Sequence, residues 1–315
     1  MIETKDFYYP SSNGTDRVHA RLWLPETQTP KGVVQLVHGI VEHIGRYEDF
    51  ARFLAGEGFV VAGEDHLGHG LTASGPDAYG YFADSDGWQH IVRDIRTLFD
   101  RLRADYPGLP CFLLGHSMGS FLARTFLIDC PEGLSGALIC GTAQQSGVMI
   151  SAGLALVALS RAQKQGLHCR SALVDSICFG AYNKKFAPNR TVCDWVCSDE
   201  AVVDAKLRDP AASFTPTLGA FRDMLRGIRY MQRRDNLARM DKALPVFFFG
   251  GELDPVGDMG KGVRAAYQSF LDAGCTDVAL KLYPGDRHEV LNETDKAAVW
   301  QDVLRWITEK LPAAV

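Results

Sequence analysis

The residues that most constrain this chain are Pro110-Cys111-Phe112-Leu113-Leu114-Gly115-His116-Ser117-Met118-Gly119-Ser120, a short apolar run that breaks into a serine flanked by glycines. The first half is too short and too continuously apolar for a surface helix, and it reads as a central buried strand. The second half matches GxSxG. Two residues without a β-carbon let a strand and the following helix approach closely around a serine held in a strained turn, with its hydroxyl above the sheet edge. Such a pattern alone fits a plain strand-to-helix connection equally well. Its setting decides, because Phe121 to Ile128 continues as a buried helix and completes the strand-turn-helix frame of a nucleophile elbow.

Around this elbow the chain alternates strand and helix. Lys5–Tyr9 and Arg17–Leu24 predict an opening antiparallel pair, separated by the turn-rich stretch 10–15. Gly32–Gly39, Phe59–Gly63 and Leu134–Gly141 read as buried strands, with helices predicted over Tyr47–Glu57 and Asp86–Tyr106. After an interruption, strands are expected from Leu244 and over Asp277–Tyr283, with helices over Gly260–Ala273 and Lys296–Leu311. This pattern predicts an α/β fold built on a mostly parallel eight-stranded sheet covered by helices on both faces, whose ligand sits at the carboxyl ends of the strands.

The domain boundaries follow from the interruption. Residues 1–141 and 243–315 form the catalytic body, and 142–242, where helical patterns take over, form a helical cap. Within the cap, Val148 to Leu159 is nearly all apolar. It packs onto the body as an ordinary helix, or it turns one face to an acyl tunnel and meets lipid surfaces; Met149 and Leu154 are its candidate lining residues. Leu218–Met231 carries Phe221, Met224, Leu225 and Ile228 on one face, and core packing and pocket lining ask for the same stripe there, so Phe221 and Leu225 are candidates for either.

A serine hydroxyl needs a base within hydrogen-bond reach and a third group to hold that base in the right tautomer. Asp254 follows one late strand and His288 the next, so Ser117, Asp254 and His288 emerge at the same sheet edge in the order Ser, Asp, His. Glu252 and Asp286 are the rival acids, but Asp286 lies only two residues from His288. The oxyanion is expected to meet the backbone N–H groups of Met118, just after the nucleophile, and Ile40, just after the His38-Gly39 step.

The 315 residues suit one large domain with an insertion, and the hydrophobic fraction of 46%, the charged fraction of 23% and the net charge of -5 leave no nucleic-acid footprint. The N-terminus lacks the basic start and apolar core of a secretory signal, and the eight scattered cysteines read as buried thiols, so a cytoplasmic location is expected. No cofactor is called for. His66, His69 and Asp65 form a histidine-rich loop that suits mutual hydrogen bonding better than a metal; Cys193 and Cys197, four apart on one face if that stretch is helical, have no partners at ligand spacing in His168 and Cys169. No metal is expected.

Together these segments resemble the α/β-hydrolase superfamily, and within it the monoacylglycerol lipase and lysophospholipase-like group. HGIVEHIGRY at His38–Tyr47, DHLGHG at Asp65–Gly70, GHSMGS at Gly115–Ser120, GELDPV at Gly251–Val256 and the His288 loop occur in family order over most of the body. The resemblance implies a Ser117-Asp254-His288 triad and a cap shaped for a monoacyl substrate. Glu42 and Arg46 match a charged pair of the family's oxyanion loop, to be read as organising that loop and a glycerol-binding patch, or as a simple ion pair. The partner expected is therefore a small acyl ester, with transient lipid-surface contact through the cap and an open oligomeric state. Small-ester and aryl-ester esterases, cinnamoyl esterases among them, share this body. So do prolyl aminopeptidases, for which Asp199, Glu200 and Asp204 are the acidic candidates to anchor an amine. A non-catalytic binding protein is the remaining class. Epoxide hydrolases and dehalogenases carry aspartate where this chain has Ser117.

Overall fold

The computed structural model describes residues 2–27, 29–164 and 166–312. Its strands are β1 (Glu3–Pro10), β2 (Arg17–Leu24), β3 (Gly32–Val37), β4 (Phe59–Glu64), β5 (Cys111–His116), β6 (Gly136–Cys140), β7 (Val246–Gly251) and β8 (Val278–Tyr283). They form one eight-stranded sheet in the order β1-β2-β4-β3-β5-β6-β7-β8. β2 runs antiparallel to both β1 and β4, and every later neighbour pair is parallel. All eight predicted strands are present.

Continuous apolar strands are what a sheet covered on both faces requires, because alternate side chains enter different cores. In β5, Phe112 and Leu114 point into one core while Leu113 points into the other; in β7, Phe247 and Phe249 are divided from Phe248 in the same way. Helices α1 (Glu48–Gly56) and α10 (Lys296–Glu309) close one face with Phe50, Leu54, Val303 and Trp306. Helices α2 (Gly87–Asp105), α3 (Met118–Asp129) and α9 (Lys261–Asp272) close the other with Ile91, Ile95, Phe126 and Phe270.

Between β6 and β7 the chain adds no strand to the sheet. It forms α4 (Gly147–Lys164), α5 (Ala172–Cys178), α6 (Glu200–Arg208), α7 (Leu218–Met231) and α8 (Arg234–Leu237). Side-chain caps start three of them: Ser171 accepts from Val174 N–H, Asp199 from Ala201 N–H and Thr217 from Ala220 N–H. α7 is fused to the body, since Phe221, Met224 and Ile228 share the core with α2 and α3. α4 buries Ile150 and Val157 but leaves Val148 and Met149 79% and 66% exposed, so its apolar surplus faces outward. Residues 190–198 form turns, so Cys193 and Cys197 do not share a helix face. No helix among the described residues is long and apolar enough to cross a membrane.

Candidate active site

Ser117 stands between β5 and α3 with φ 53° and ψ -121°, a conformation that costs a non-glycine residue about 1–3 kcal/mol and persists only where its surroundings impose it. The flanking glycines explain how. A β-carbon on Gly115 would run into Gly119 O, and one on Gly119 into the carbonyls of Val37 and His38, so β3, β5 and α3 meet only because those carbons are missing. Ser117 N–H bonds Cys140 O at 3.0 Å, tying the turn to the end of β6. The serine is partly accessible in otherwise buried surroundings.

Asp254 and His288 meet beside it. Gly251, at the end of β7, lies so close to the carbonyls of Asp286 and Arg287 that a side chain there would displace the His288 loop. Leu253 N–H donates to Asp286 O at 2.9 Å, and His288 Nδ1 bonds the fully buried Asp254 Oδ2 at 2.9 Å. Val256 N–H donates to the other carboxylate oxygen at 2.8 Å. The His288 ring lies between His116, 4.7 Å away centroid to centroid, and Trp195 of the insertion at 5.2 Å. The Ser117 hydroxyl makes no hydrogen bond among the described residues, so its approach to His288 rests on the shared edge and on Gly141, whose β-carbon position would touch both the His116 and His288 rings. Burial disfavours the charged imidazole, yet the Asp254 carboxylate outweighs it and raises the His288 pKa. Of the rival acids, Glu252 is exposed, and Asp286, pushed up to about 7 by burial and then by Asp295 and Glu293, has no bond to His288.

The loop after β3 is held on several sides. His38 Nδ1 bonds Gly39 O at 2.7 Å and its Nε2 receives His66 N–H at 3.0 Å. One nitrogen donates and the other accepts, the pattern of a neutral imidazole, in accord with a pKa that burial and the His66 ring push down to about 3. His69 is neutral for the same reason, with Nδ1 against Leu67 O and Nε2 accepting from Val41 N–H. These lone pairs are spent on backbone donors, so the histidine-rich loop is a scaffold for its neighbour. Asp65 receives Ile44 N–H and Leu71 N–H at 2.8 Å each; burial acts to raise its pKa, and the His19 hydrogen bond, the charge interaction with His38 and these two backbone donors together lower it. A trans peptide aims its N–H opposite its C=O, so fixing Gly39 O on His38 also fixes the direction of Ile40 N–H; the loop itself lies against the elbow, since a β-carbon on Gly39 would sit 3.0 Å from that of Ser117. Neither Ile40 N–H nor Met118 N–H has an acceptor among the described residues.

Glu42 and Arg46 are more than a loop pair. Glu42 accepts from Gly39 N–H and, at 2.9 Å, from Tyr47 OH, while Arg46 donates to Glu42 at 3.1 Å and grips both oxygens of Glu289 at 2.6 and 2.7 Å. Glu289 follows His288 directly, so this ion pair joins the oxyanion loop to the histidine loop. Glu289 and Lys206, the latter reaching Val41 O from α6 at 2.7 Å, escaped sequence reasoning. Glu289 could have been noticed from its place beside His288; nothing local marks Lys206.

The remaining candidates divide. Phe221 is wholly buried in the shared core and lies 5.6 Å from Phe179, ring to ring, while Leu225 packs against Gly153 of α4 and Leu154 is partly buried against the core. Met149 is largely exposed to solvent. Asp199 caps α6 and Asp204 pairs with Arg190 at 2.6 Å, so both are engaged within the insertion.

A parallel sheet with an elbow serine and a His-Asp pair at its carboxyl edge defines an α/β-hydrolase. The sequence profile of the family described as "Serine aminopeptidase, S33" matches residues 28–295, and the chain belongs to that family. It is 30% identical to the monoacylglycerol lipase of Mycolicibacterium smegmatis, covering 95% of each chain, and 26% identical to human monoglyceride lipase over 93% of this chain and 88% of that one. The structure of a thermostable carboxyl esterase from Bacillus coagulans in complex with glycerol superposes with a TM-score of 0.91 at 29% identity, covering 99% of this chain and 100% of the other. The chain is a serine hydrolase resembling the monoacylglycerol lipases, and these likenesses support lipase/esterase activity.

Proposed function

We propose that the protein hydrolyses monoacylglycerols or similar medium-to-long acyl esters through an acyl-enzyme on Ser117, with His288 as base, Asp254 as its orienting partner, and Ile40 and Met118 N–H as the oxyanion hole. The observation that carries the reading is the His288–Asp254 bond beside a serine at the elbow; it is supported by the N–H groups of Met118, next to that serine, and of Ile40, next to Gly39 which lies against it, neither of which has an acceptor among the described residues. His288 takes the hydroxyl proton as Ser117 attacks the ester carbonyl, then gives it to the leaving alcohol; water repeats the sequence to release the acid. The oxyanion formed at each step accepts hydrogen bonds from the two backbone donors. The segment 142–242 serves as the cap. Its exposed Val148, Met149, Leu159, Leu173 and Ile177 offer transient contact with a lipid surface, and the same reading places the protein in the cytoplasm.

Rates on a series of monoacylglycerols and nitrophenyl esters of increasing chain length test the substrate class. They should climb from acetate toward medium and long chains. A maximum at acetate or butyrate, with none for long chains, would make the protein a small-ester esterase instead. An aminoacyl amide belongs in the same series; Glu42 and Glu289, the carboxylates that the oxyanion and histidine loops add beside Asp254, are already committed to Arg46, so cleavage of the amide should be negligible.

The base must be neutral, and its pKa lies above the usual 6.5, so kcat/KM should rise with pH through a midpoint above 6.5 and be lost below it. Asp254→Asn removes the charge that raises that midpoint and leaves burial, which lowers it. The variant's acid limb should move to lower pH while kcat drops on the order of 10³- to 10⁴-fold. A limb that stays put would show that another group titrates.

A further inference from the structure

We infer that Lys206 is a positioning residue that clamps the oxyanion loop from the cap, so that the aim of Ile40 N–H depends on a side chain in α6. The inference rests on the reading of Ile40 N–H as an oxyanion donor. Lys206 is only 8% exposed, and its ammonium is spent on two backbone carbonyls, Val41 O at 2.7 Å and Ala212 O at 2.9 Å. A buried cation that binds main chain holds a chain path in place, and here the path belongs to a segment 165 residues away in sequence.

Val41 is the residue that needs holding. It is β-branched and sits at φ 56°, where such a side chain clashes with its own backbone. Left free, it would return to the extended or right-handed region. That rotation turns the Ile40–Val41 and Val41–Glu42 peptides, and the displacement passes through the Ile40 backbone to the Gly39–Ile40 peptide that carries the N–H, which its bond to His38 alone then has to hold. The body already fixes the start of the loop through Glu42 on Gly39 N–H and His38 on Gly39 O. At Val41 its grip is weaker, a 3.3 Å contact from Val41 N–H to His69 Nε2, and the carbonyl is held by Lys206. A second strap runs in parallel, with His43 Nε2 against Asp209 Oδ2 at 2.7 Å, just beyond α6. Among the described residues, no side-chain hydrogen bond joins α4 or α5 to residues 38–47. The cap is thus divided: the α6 end belongs to the catalytic frame, while the α4–α5 end carries the exposed apolar surface.

The charges are arranged to permit this. Burial works against the Lys206 ammonium and lowers its pKa, as does nearby Arg46, while Glu289 and Glu42 face it and keep the cluster balanced, two acids against two bases. Glu42 and Glu289 are themselves bonded to Arg46, which leaves the lysine's donors for the carbonyls.

The test is Lys206→Met, which keeps the apolar stem and deletes the donors, beside Lys206→Arg, which restores a charged donor. On a short, soluble nitrophenyl ester, kcat of the Met variant should fall about 10- to 100-fold with KM within about three-fold, since a misaimed oxyanion donor weakens the transition state more than the bound substrate. The rate of labelling by a fluorophosphonate should fall with it, and the Arg variant should recover most of both. A folded Met variant that melts lower but keeps its kcat overturns the clamp. If the Met variant does not fold, Lys206→Gln, a neutral donor of shorter reach, is read in its place: a kcat loss of about five-fold or more at steady KM supports the inference, and an unchanged kcat overturns it. Ser117→Ala, assayed alongside, separates this from the catalytic reading. Activity surviving there removes the oxyanion assignment and the clamp together; activity lost there but intact in Lys206→Met removes the clamp alone.

Discussion

Ser117→Ala lowers ester turnover by roughly 10⁴- to 10⁶-fold while the protein stays folded. The size of the loss follows from how catalysis is divided. In the proposed mechanism the acyl-enzyme forms on this hydroxyl, so its removal leaves only what the proposed oxyanion donors and water achieve unaided. The fold tolerates the change because the Ser117 hydroxyl has no hydrogen bond to lose among the described residues, and alanine fits the space the serine occupies. Alanine meets the same strain at φ 53°, so the elbow keeps its shape. The comparison is kcat on a soluble ester for both proteins at matched circular dichroism and melting point. Residual activity near that of the native protein would place the nucleophile elsewhere.

Arg46→Met destabilises the protein by about 3–5 kcal/mol at neutral pH, because it leaves two buried carboxylates facing each other without the guanidinium that pairs them. Side-chain exposure is 12% for Arg46, 5% for Glu42 and 6% for Glu289, so water cannot replace the lost partner. The pH dependence has a definite sign. In the native protein burial acts to raise the Glu289 pKa, but Arg46 overrides it and holds the carboxyl far below the usual range. That stability is present above the unfolded carboxyl pKa, about 4.3, and is lost as pH falls through the folded value. The variant's carboxyls have raised pKa values and take up protons first. The gap between the two proteins should therefore be widest near pH 7 and narrow toward pH 4, as read by urea unfolding at several pH values. Adding Glu289→Gln should recover part of the loss, so that the double variant costs less than the sum of the singles. A surface-like cost below about 1 kcal/mol at every pH would mean that the pair is solvated.

The local features of this protein were written plainly in its sequence. The elbow announces itself because strand, glycines and serine are contiguous, and each buried strand is a short apolar run bounded by turn residues. Helix α7 starts and stops where its apolar stripe does, at Leu218 and Met231. Asp254 and His288 were legible as post-strand residues because strand order brings their loops to the same edge. What sequence could not supply was contact across long separations. The Phe221 stripe served core packing because α7 leans on α2 and α3, where Gly227 lies against the Trp88 indole, a fact of tertiary docking that no helical periodicity encodes. Met149 belonged to a run too apolar for water, yet the helix phase turned it outward. Lys206 and Glu289 acquire meaning only when α6 and the histidine loop converge on residues 39–46.

The most direct measurement is intact-mass spectrometry of the folded protein after brief exposure to an alkyl fluorophosphonate, followed by peptide mapping. A single adduct on Ser117, absent from Ser117→Ala and strongly slowed in His288→Ala, is the predicted result. An adduct on another residue, or a native protein that stays unmodified while it hydrolyses esters, would contradict the account.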